Sequence, residues 1–397
     1  MHKQQPLVVA TGSTCIDYLA HVASFPEPDA KMRTTKLFTS PGGNALQGLV
    51  CLSRLGVAGR LITKLGNDEI GRQILETLRR ERAIDTSRVS ISPGNSPFSY
   101  IIVDEVTHTR TILHTPAELL APNEIESSFL DGGIRLTEMA IERGIPVLTD
   151  FDEELDQAEK MITLTDYLVL NSDHLLKRTA ETDLLAAMAS LLRALPRVRF
   201  VIATLGSQGS LLMRRPHAHA PNDDADAEAT TRPESDEEEG KGEVRNMDEL
   251  LTRVPKYEDV EVKWQRMWAF GNAAADGDGD GELASATEEE QREADCALGL
   301  LVHTFCYRPA RDTDHHAQVH YCPAYPLNPA SIVDTTGAGD VFVGGVCYGL
   351  VRGLSLPQLL ALASLVAARK CLGSGLNGIS DRGSLPALLL RTPRAHD

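Results

Sequence analysis

Residues 334–351 read Asp334-Thr335-Thr336-Gly337-Ala338-Gly339-Asp340 followed by VFVGGVCYGLV. A turn of small and polar residues thus runs directly into eleven residues without a charge, which predicts a buried helix entered through a tight turn. The free N–H groups of a first helical turn, with the positive end of the helix dipole, make an anion site, and small residues at 337–339 let a ligand approach the backbone closely. A phosphoryl group is the natural guest. An acid at Asp340, beside that site, is placed to take a proton from an attacking hydroxyl while the amides hold developing charge. A simple capped helix start would carry the same bare Gly-Ala-Gly-Asp, so the weight rests on the full seven-residue string.

Outward from this segment, short apolar runs alternate with helical patterns. LVVAT (7–11) is followed by a helical stretch after Gly43, then RLITKLG (60–66) and EIGRQILETLRRER (69–82). The rhythm resumes with PVLTD (146–150), TDYLVLN (165–171), a helical pattern over 181–194 and RFVIATLG (199–206). This is the pattern of an α/β fold with a mostly parallel sheet buried on both faces. Residues 18–38 and 99–115 break the rhythm. They read as antiparallel strands, the second a hairpin turning near Val106–His108, and together predict a small lid over a cleft.

The string at 334–340 resembles the C-terminal signature of the ribokinase-like, or PfkB-type, sugar kinases. The resemblance implies a three-layer α/β sandwich with a β lid, Asp340 as catalytic base, and the amides of Gly337, Ala338 and Gly339 as an anion hole. Pro41-Gly42-Gly43-Asn44-Ala45 is similar to the family's N-terminal signature, in which Gly42, Gly43 and Asn44 would contact sugar hydroxyls together with Asp17 from GSTCIDY. Asn and Asp suit such work because a sugar offers hydroxyls that donate and accept, and a carboxylate takes two vicinal O–H groups. DAKMRTTKL (29–37), RTILHTP (110–116) and ARKCLGSGLNGI (368–379) are similar to the ketohexokinase side of the family, and closer to unassigned PfkB-type carbohydrate kinases of plants and protists. Gln47 stands where ketohexokinases carry a second Asn, a departure that bears on fructose specificity. Arg110 is the lid residue expected at the acceptor.

Thr204-Leu205-Gly206-Ser207-Gln208-Gly209, after a strand, resembles the family's T-x-G-x-x-G turn. With Thr336 and Asn171, its Thr204, Gly206 and Gly209 are the residues expected at ATP. Where relatives carry N-x-x-E, this chain has Asn171-Ser172-Asp173-His174, so the glutamate that organises water around magnesium is absent. Asp173 reads as a helix N-cap. No protein ligand for a metal is expected, and Mg2+ would be held through water and phosphate. The implied reaction is transfer of the γ-phosphoryl group of ATP to a hydroxymethyl group of a sugar. A nucleoside kinase of the same fold and an inactive binding scaffold are the alternatives.

Charge and composition complete the reading. The chain has 397 residues and a net charge of −17, and residues 221–300 hold 24 acidic against 8 basic side chains. The acidity belongs to one segment and excludes a general nucleic-acid binder. The kinase domain is expected over 6–213 and 300–390, with lid strands at about 16–39 and 97–114. Residues 214–299 read as an acidic, low-complexity, mostly disordered insert, within which MDELLTRV (247–254) and VKWQRMWAF (262–270) suggest a local helix docked on the body. PAELLAPNEIESSFLDGGI (116–134) offers no apolar run where the family has a buried strand, and the loss of a core strand would leave sheet edges. Seven scattered cysteines suggest no disulfide framework, and no signal peptide or membrane-length apolar run stands out, so a cytoplasmic protein is expected. The resemblance also implies a homodimer through the lid strands.

Overall fold

The computed structural model describes residues 7–81, 83–107, 109–117, 129–151, 158–215, 243–254, 298, 301–309 and 316–390. The chain divides into two compact units, the first made of Met1–Arg135, Asn328–Gly344 and Arg369–Gly383, the second of Leu136–Leu327, Gly345–Ala368 and Ser384–Asp397.

In the first unit, β1 (Leu7–Thr11), β4 (Ala58–Gly66) and β5 (Ile84–Ser92) form a parallel sheet in the order β1-β4-β5. Helix α1 (Asn44–Arg54) lays Leu46, Leu49, Val50 and Cys51 into the core, each at most 1% exposed. Helix α2 (Glu69–Arg80) is capped by Asp68, whose carboxylate accepts from the Gly71 amide at 2.8 Å.

The lid is a second sheet, with β2 (Cys15–Val22), β3 (Lys36–Gly42), β6 (Phe98–Asp104) and β7 (Arg110–Thr115) in the order β3-β2-β6-β7. The expected hairpin is present as β6 and β7. The lid is not wholly antiparallel, however: β2 and β6 pair in parallel. Connectivity permits this, because β3, α1, β4, α2 and β5 all lie between them, a crossover long enough for a parallel pair that a tight turn could not make. Register then sets Ser40, Asp17, Ser99 and His114 opposite one another on the four successive strands.

The second unit carries a seven-stranded sheet of β8 (Leu148–Phe151), β9 (Tyr167–Asn171), β10 (Phe200–Thr204), β11 (Ser210–Arg214), β12 (Glu243–Val244), β13 (His303–Tyr307) and β14 (Ala317–Cys322), in the order β12-β13-β14-β11-β10-β9-β8. Helices α3 (Phe129–Glu142), α4 (Ala158–Thr163), α5 (Ser172–Thr179) and α6 (Leu184–Ala194) alternate with its first strands. Leu168, Leu170, Leu185, Met188, Val201 and Ala203 meet in its core. Part of the acidic stretch belongs here: β12 pairs with β13, and α7 (Met247–Arg253) buries Leu250 completely while the Met247 amide donates to Asp183 at 2.7 Å. Residues 216–242 and 255–297, with VKWQRMWAF, lie outside the described residues.

Parallel pairs therefore occur in all three sheets among the described residues, and no single continuous parallel sheet joins β1 to β10 there. Residues 118–128, where the buried strand was missed in the sequence, lie outside them, and 129–134 open α3. Strand β1 ends its sheet with Leu7 46% and Val9 43% exposed. The remaining helices are α8 (Ala338–Arg352), α9 (Leu356–Lys370) and α10 (Ala387–Leu390). No helix among the described residues is long and apolar enough to cross a membrane.

Candidate active site

The turn at 334–337 and the first turn of α8 are built as the sequence predicts. Gly337 has φ +76°, a region open to glycine at little cost, and the amides of Ala338 and Val341 close onto Thr335 and Gly337 carbonyls at 3.2 and 3.0 Å. A Cβ on Gly337 would lie 1.8 Å from Gln47 Oε1, so α1 is packed directly under the turn. Gln47 was expected at the acceptor; its side chain lies against the turn that opens α8. Its Oε1 and the Thr336 Oγ1 are buried and have no hydrogen-bond partner among the described residues. Buried polar atoms are nearly always paired, so two such atoms beside an open helix start mark a place for a polar ligand. A Cβ on Gly339 would meet nothing within 4 Å, leaving its backbone open to a guest. Asp340 stands half-buried in the first turn of α8.

Where the acceptor was expected, Asp17 is 6% exposed. A Cβ on Gly42 would lie 1.9 Å from Asp17 Oδ2, so only glycine at the end of β3 leaves the carboxylate its place. The Asn44 Oδ1 accepts from the amides of Ser13 at 2.8 Å and Ala45 at 2.7 Å. Asn44 is therefore no N-cap, which falls on Gly43; its side-chain carbonyl ties α1 to the β1–β2 turn, and its amino group is the donor left for a ligand. Burial pushes the Asp17 carboxyl above the usual carboxylate range, and the charge of Asp334 adds to this, while hydrogen bonds from Cys15 and Ser99 and the His114 charge oppose it. Cys15 Sγ lies 3.3 Å from Asp17 Oδ1, and Ser99 Oγ lies 3.1 Å from His114 Nδ1. From the lid edge, Arg110 Nη1 donates to Thr335 Oγ1 at 2.6 Å. Asp17, Gly42, Gly43, Asn44, Gln47, Arg110, Thr336, Gly337 and Asp340 thus all belong to the first unit.

Sequence reasoning missed the row Ser40, Asp17, Ser99, His114, because strand alternation does not say which strands are neighbours. It also missed an ion pair behind the turn, Lys370 Nζ to Asp334 Oδ2 at 3.3 Å, with side chains 0% and 4% exposed.

The expected nucleotide turn belongs to the second unit. Thr204 ends β10, Gly206 (φ +57°) opens a short 3-10 turn and Gly209 (φ +105°) leads into β11. Asn171, not Asp173, caps α5: its Oδ1 accepts from the His174 amide at 2.8 Å and its Nδ2 lies 3.3 Å from His174 Nδ1. Asp173 instead sits in the first turn, where the helix dipole favours an acid. Among the described residues there is no group of three or more His, Cys, Asp or Glu able to hold a metal, and the described cysteines form no disulfide with one another.

The chain is similar to several known proteins. Over 97 residues the chain is 27% identical to a nucleoside kinase of Methanothermobacter thermautotrophicus, covering 24% of this chain and 31% of that protein. Over 62 residues it is 39% identical to the ketohexokinase of Mus musculus, covering 16% and 20%. The chain thus matches less than a third of the length of these relatives. Its fold is shared with the ribokinase of Arabidopsis thaliana complexed with ribose and ATP (TM-score 0.58, 17% identity, 97% and 98% of the two chains). It is shared as well with the ribokinase of Cryptococcus neoformans in complex with ADP (TM-score 0.60, 17% identity, 96% and 98%). The profile of the pfkB family carbohydrate kinases matches residues 5–225 and 314–381, well over half of the sequence, and the chain belongs to that family.

Proposed function

We propose that the chain transfers the γ-phosphoryl group of ATP to a hydroxymethyl group of a sugar. The observation that carries this is the turn at 334–340, with its open backbone at Gly339, the buried unpartnered oxygens of Thr336 and Gln47, and a carboxylate at Asp340. The acceptor is held by Asp17, Gly43 and Asn44. Asp340 removes the proton of the attacking hydroxyl, and the amides of Gly337, Ala338 and Gly339 stabilise the charge of the group in transfer. Asn171, Thr204, Gly206, Gly209 and Thr336 are assigned to ATP. Mg2+ would neutralise the polyphosphate while held through water and phosphate oxygens. Arg110, bonded to Thr335, brings the lid edge to the turn, and closure there excludes water and suppresses hydrolysis of ATP. The exposed side chains Leu37, Tyr100, Ile112 and Leu113 on the lid strands support pairing of two copies through the lid.

The test is ADP release with Mg-ATP across pentoses, hexoses and nucleosides, with Asp340→Asn as control. A sugar-dependent signal reduced at least a hundredfold in Asp340→Asn, with acceptor KM little changed, is the expected result. Preference for a nucleoside, which the Methanothermobacter relative makes the second reading, would replace the sugar assignment; wild-type turnover in Asp340→Asn would sink the base.

A further inference from the structure

We propose that Lys370 is a positioning residue of the phosphoryl-transfer site, a buried cation that holds the anion turn through Asp334. The inference rests on the kinase reading above. Lys370 ends α9 and its side chain is 0% exposed, which lysine almost never is unless paired. Its Nζ lies 3.3 Å from Asp334 Oδ2 and 3.5 Å from the Asp334 carbonyl oxygen.

Asp334 distributes that charge to two backbone segments. Oδ1 accepts the Thr336 amide at 2.8 Å, one residue before Gly337, and Oδ2 accepts the Gly375 amide at 3.2 Å. The next amide, Leu376, donates to Ser40 Oγ at 3.3 Å, and Ser40 pairs with Asp17 across β2 and β3. One buried ion pair therefore sits where the phosphate turn, the 375–376 turn and the strand ahead of Gly42 are joined. A pair that served only to fill the core would be replaceable by apolar side chains at little cost. Here the carboxylate has two backbone donors besides the ammonium, and both lie in segments that border the reacting groups. Asp334 also faces Asp17 electrostatically, so the Lys370 charge offsets a carboxylate that would otherwise repel the acceptor-binding one.

The experiment uses three variants of the full chain. Lys370→Ala removes a propylammonium fragment and leaves its space; kcat should fall at least thirtyfold with acceptor KM within threefold. Added n-propylammonium should recover at least a tenth of the lost rate, while tetramethylammonium, which is too large, should not. Asp334→Asn/Lys370→Met removes both charges and avoids an orphaned buried ion; it should melt within a few degrees of wild type and still turn over at least tenfold more slowly. Lys370→Arg should not restore the rate, because its planar fork does not replace a point charge in a closed space. A double variant with wild-type kcat, or a Lys370→Ala whose kcat and KM both follow its melting temperature without amine rescue, overturns the inference. If the wild type phosphorylates no acceptor, the kinase reading has failed on its own. Hydrogen exchange then decides the positioning role: Lys370→Ala must speed exchange in 335–340 and 375–376, and unchanged exchange there refutes it.

Discussion

Replacing Gly42 by alanine tests how the acceptor end is built. The added Cβ would fall 1.9 Å from Asp17 Oδ2 and 2.5 Å from its Cγ, far inside van der Waals contact, so the carboxylate must turn away. The φ of Gly42 is not in the left-handed region, so the methyl group brings no backbone strain, and the three atoms it meets first all belong to the Asp17 carboxylate. If Asp17 holds acceptor hydroxyls through charge-assisted hydrogen bonds worth about 1.5–3 kcal/mol each, loss of one raises the acceptor KM about ten- to a hundredfold. The ATP KM and the melting temperature should move little, and kcat should fall less than kcat/KM. Steady-state kinetics with the best acceptor, read beside a thermal melt, decide the matter. A folded Gly42→Ala enzyme with acceptor KM within twofold of wild type refutes the assignment of Asp17.

Asp17 itself yields a stability prediction. Burial raises its carboxyl, so the folded state is favoured while the group is protonated and loses that advantage as pH rises from about 3.9, the unfolded value, through the higher folded one. Asp17→Asn, neutral throughout, should melt a few degrees above wild type at pH 7, with the gap closing toward pH 4, and should lose acceptor binding; an Asn variant that melts lower at pH 7 would contradict it. In the second unit the two turn glycines differ in kind. Gly206→Ala meets open space and should cost about 1 kcal/mol of left-handed strain, whereas a Cβ on Gly209 would lie 2.1 Å from the Cys322 carbonyl, so Gly209→Ala should cost at least twice as much in urea melts.

The glycine turns at 42–43, 206–209 and 337–339 were legible because each sits where an apolar period changes, and both their strands and helices follow. The lid hairpin was legible for the same reason. What lay beyond the pattern is long-range. The parallel pairing of β2 with β6 depends on which strand docks beside which, and an alternating pattern is silent on that. Lys370 lies in ARKCLG at a helix end, where a basic residue ordinarily meets solvent and the dipole; only the fold brings Asp334, 36 residues earlier, against it. Within the acidic insert, the docked local helix expected from MDELLTRV is present with Leu250 wholly buried, whereas the short strand that buries Val244 was not read. A window average dominated by Asp and Glu hides a single apolar side chain that a sheet edge can use. Asn171 displaced Asp173 as the cap by two positions, within the ordinary uncertainty of a helix boundary.

The division of the chain has a kinetic consequence. The first unit joins Met1–Arg135 to Asn328–Gly344, so nearly two hundred residues must be synthesised before the phosphate turn can meet α1. Until then the side of α1 that carries Gln47 waits without the turn that packs on it, and the contact order of this unit is high, which slows folding. The equilibrium penalty is mild by comparison: loop closure grows by only about 0.6 kcal/mol for each doubling of the connecting length. Lengthening of the acidic stretch between β11 and β13 is thus nearly neutral for the finished protein, and its cost falls on the nascent chain.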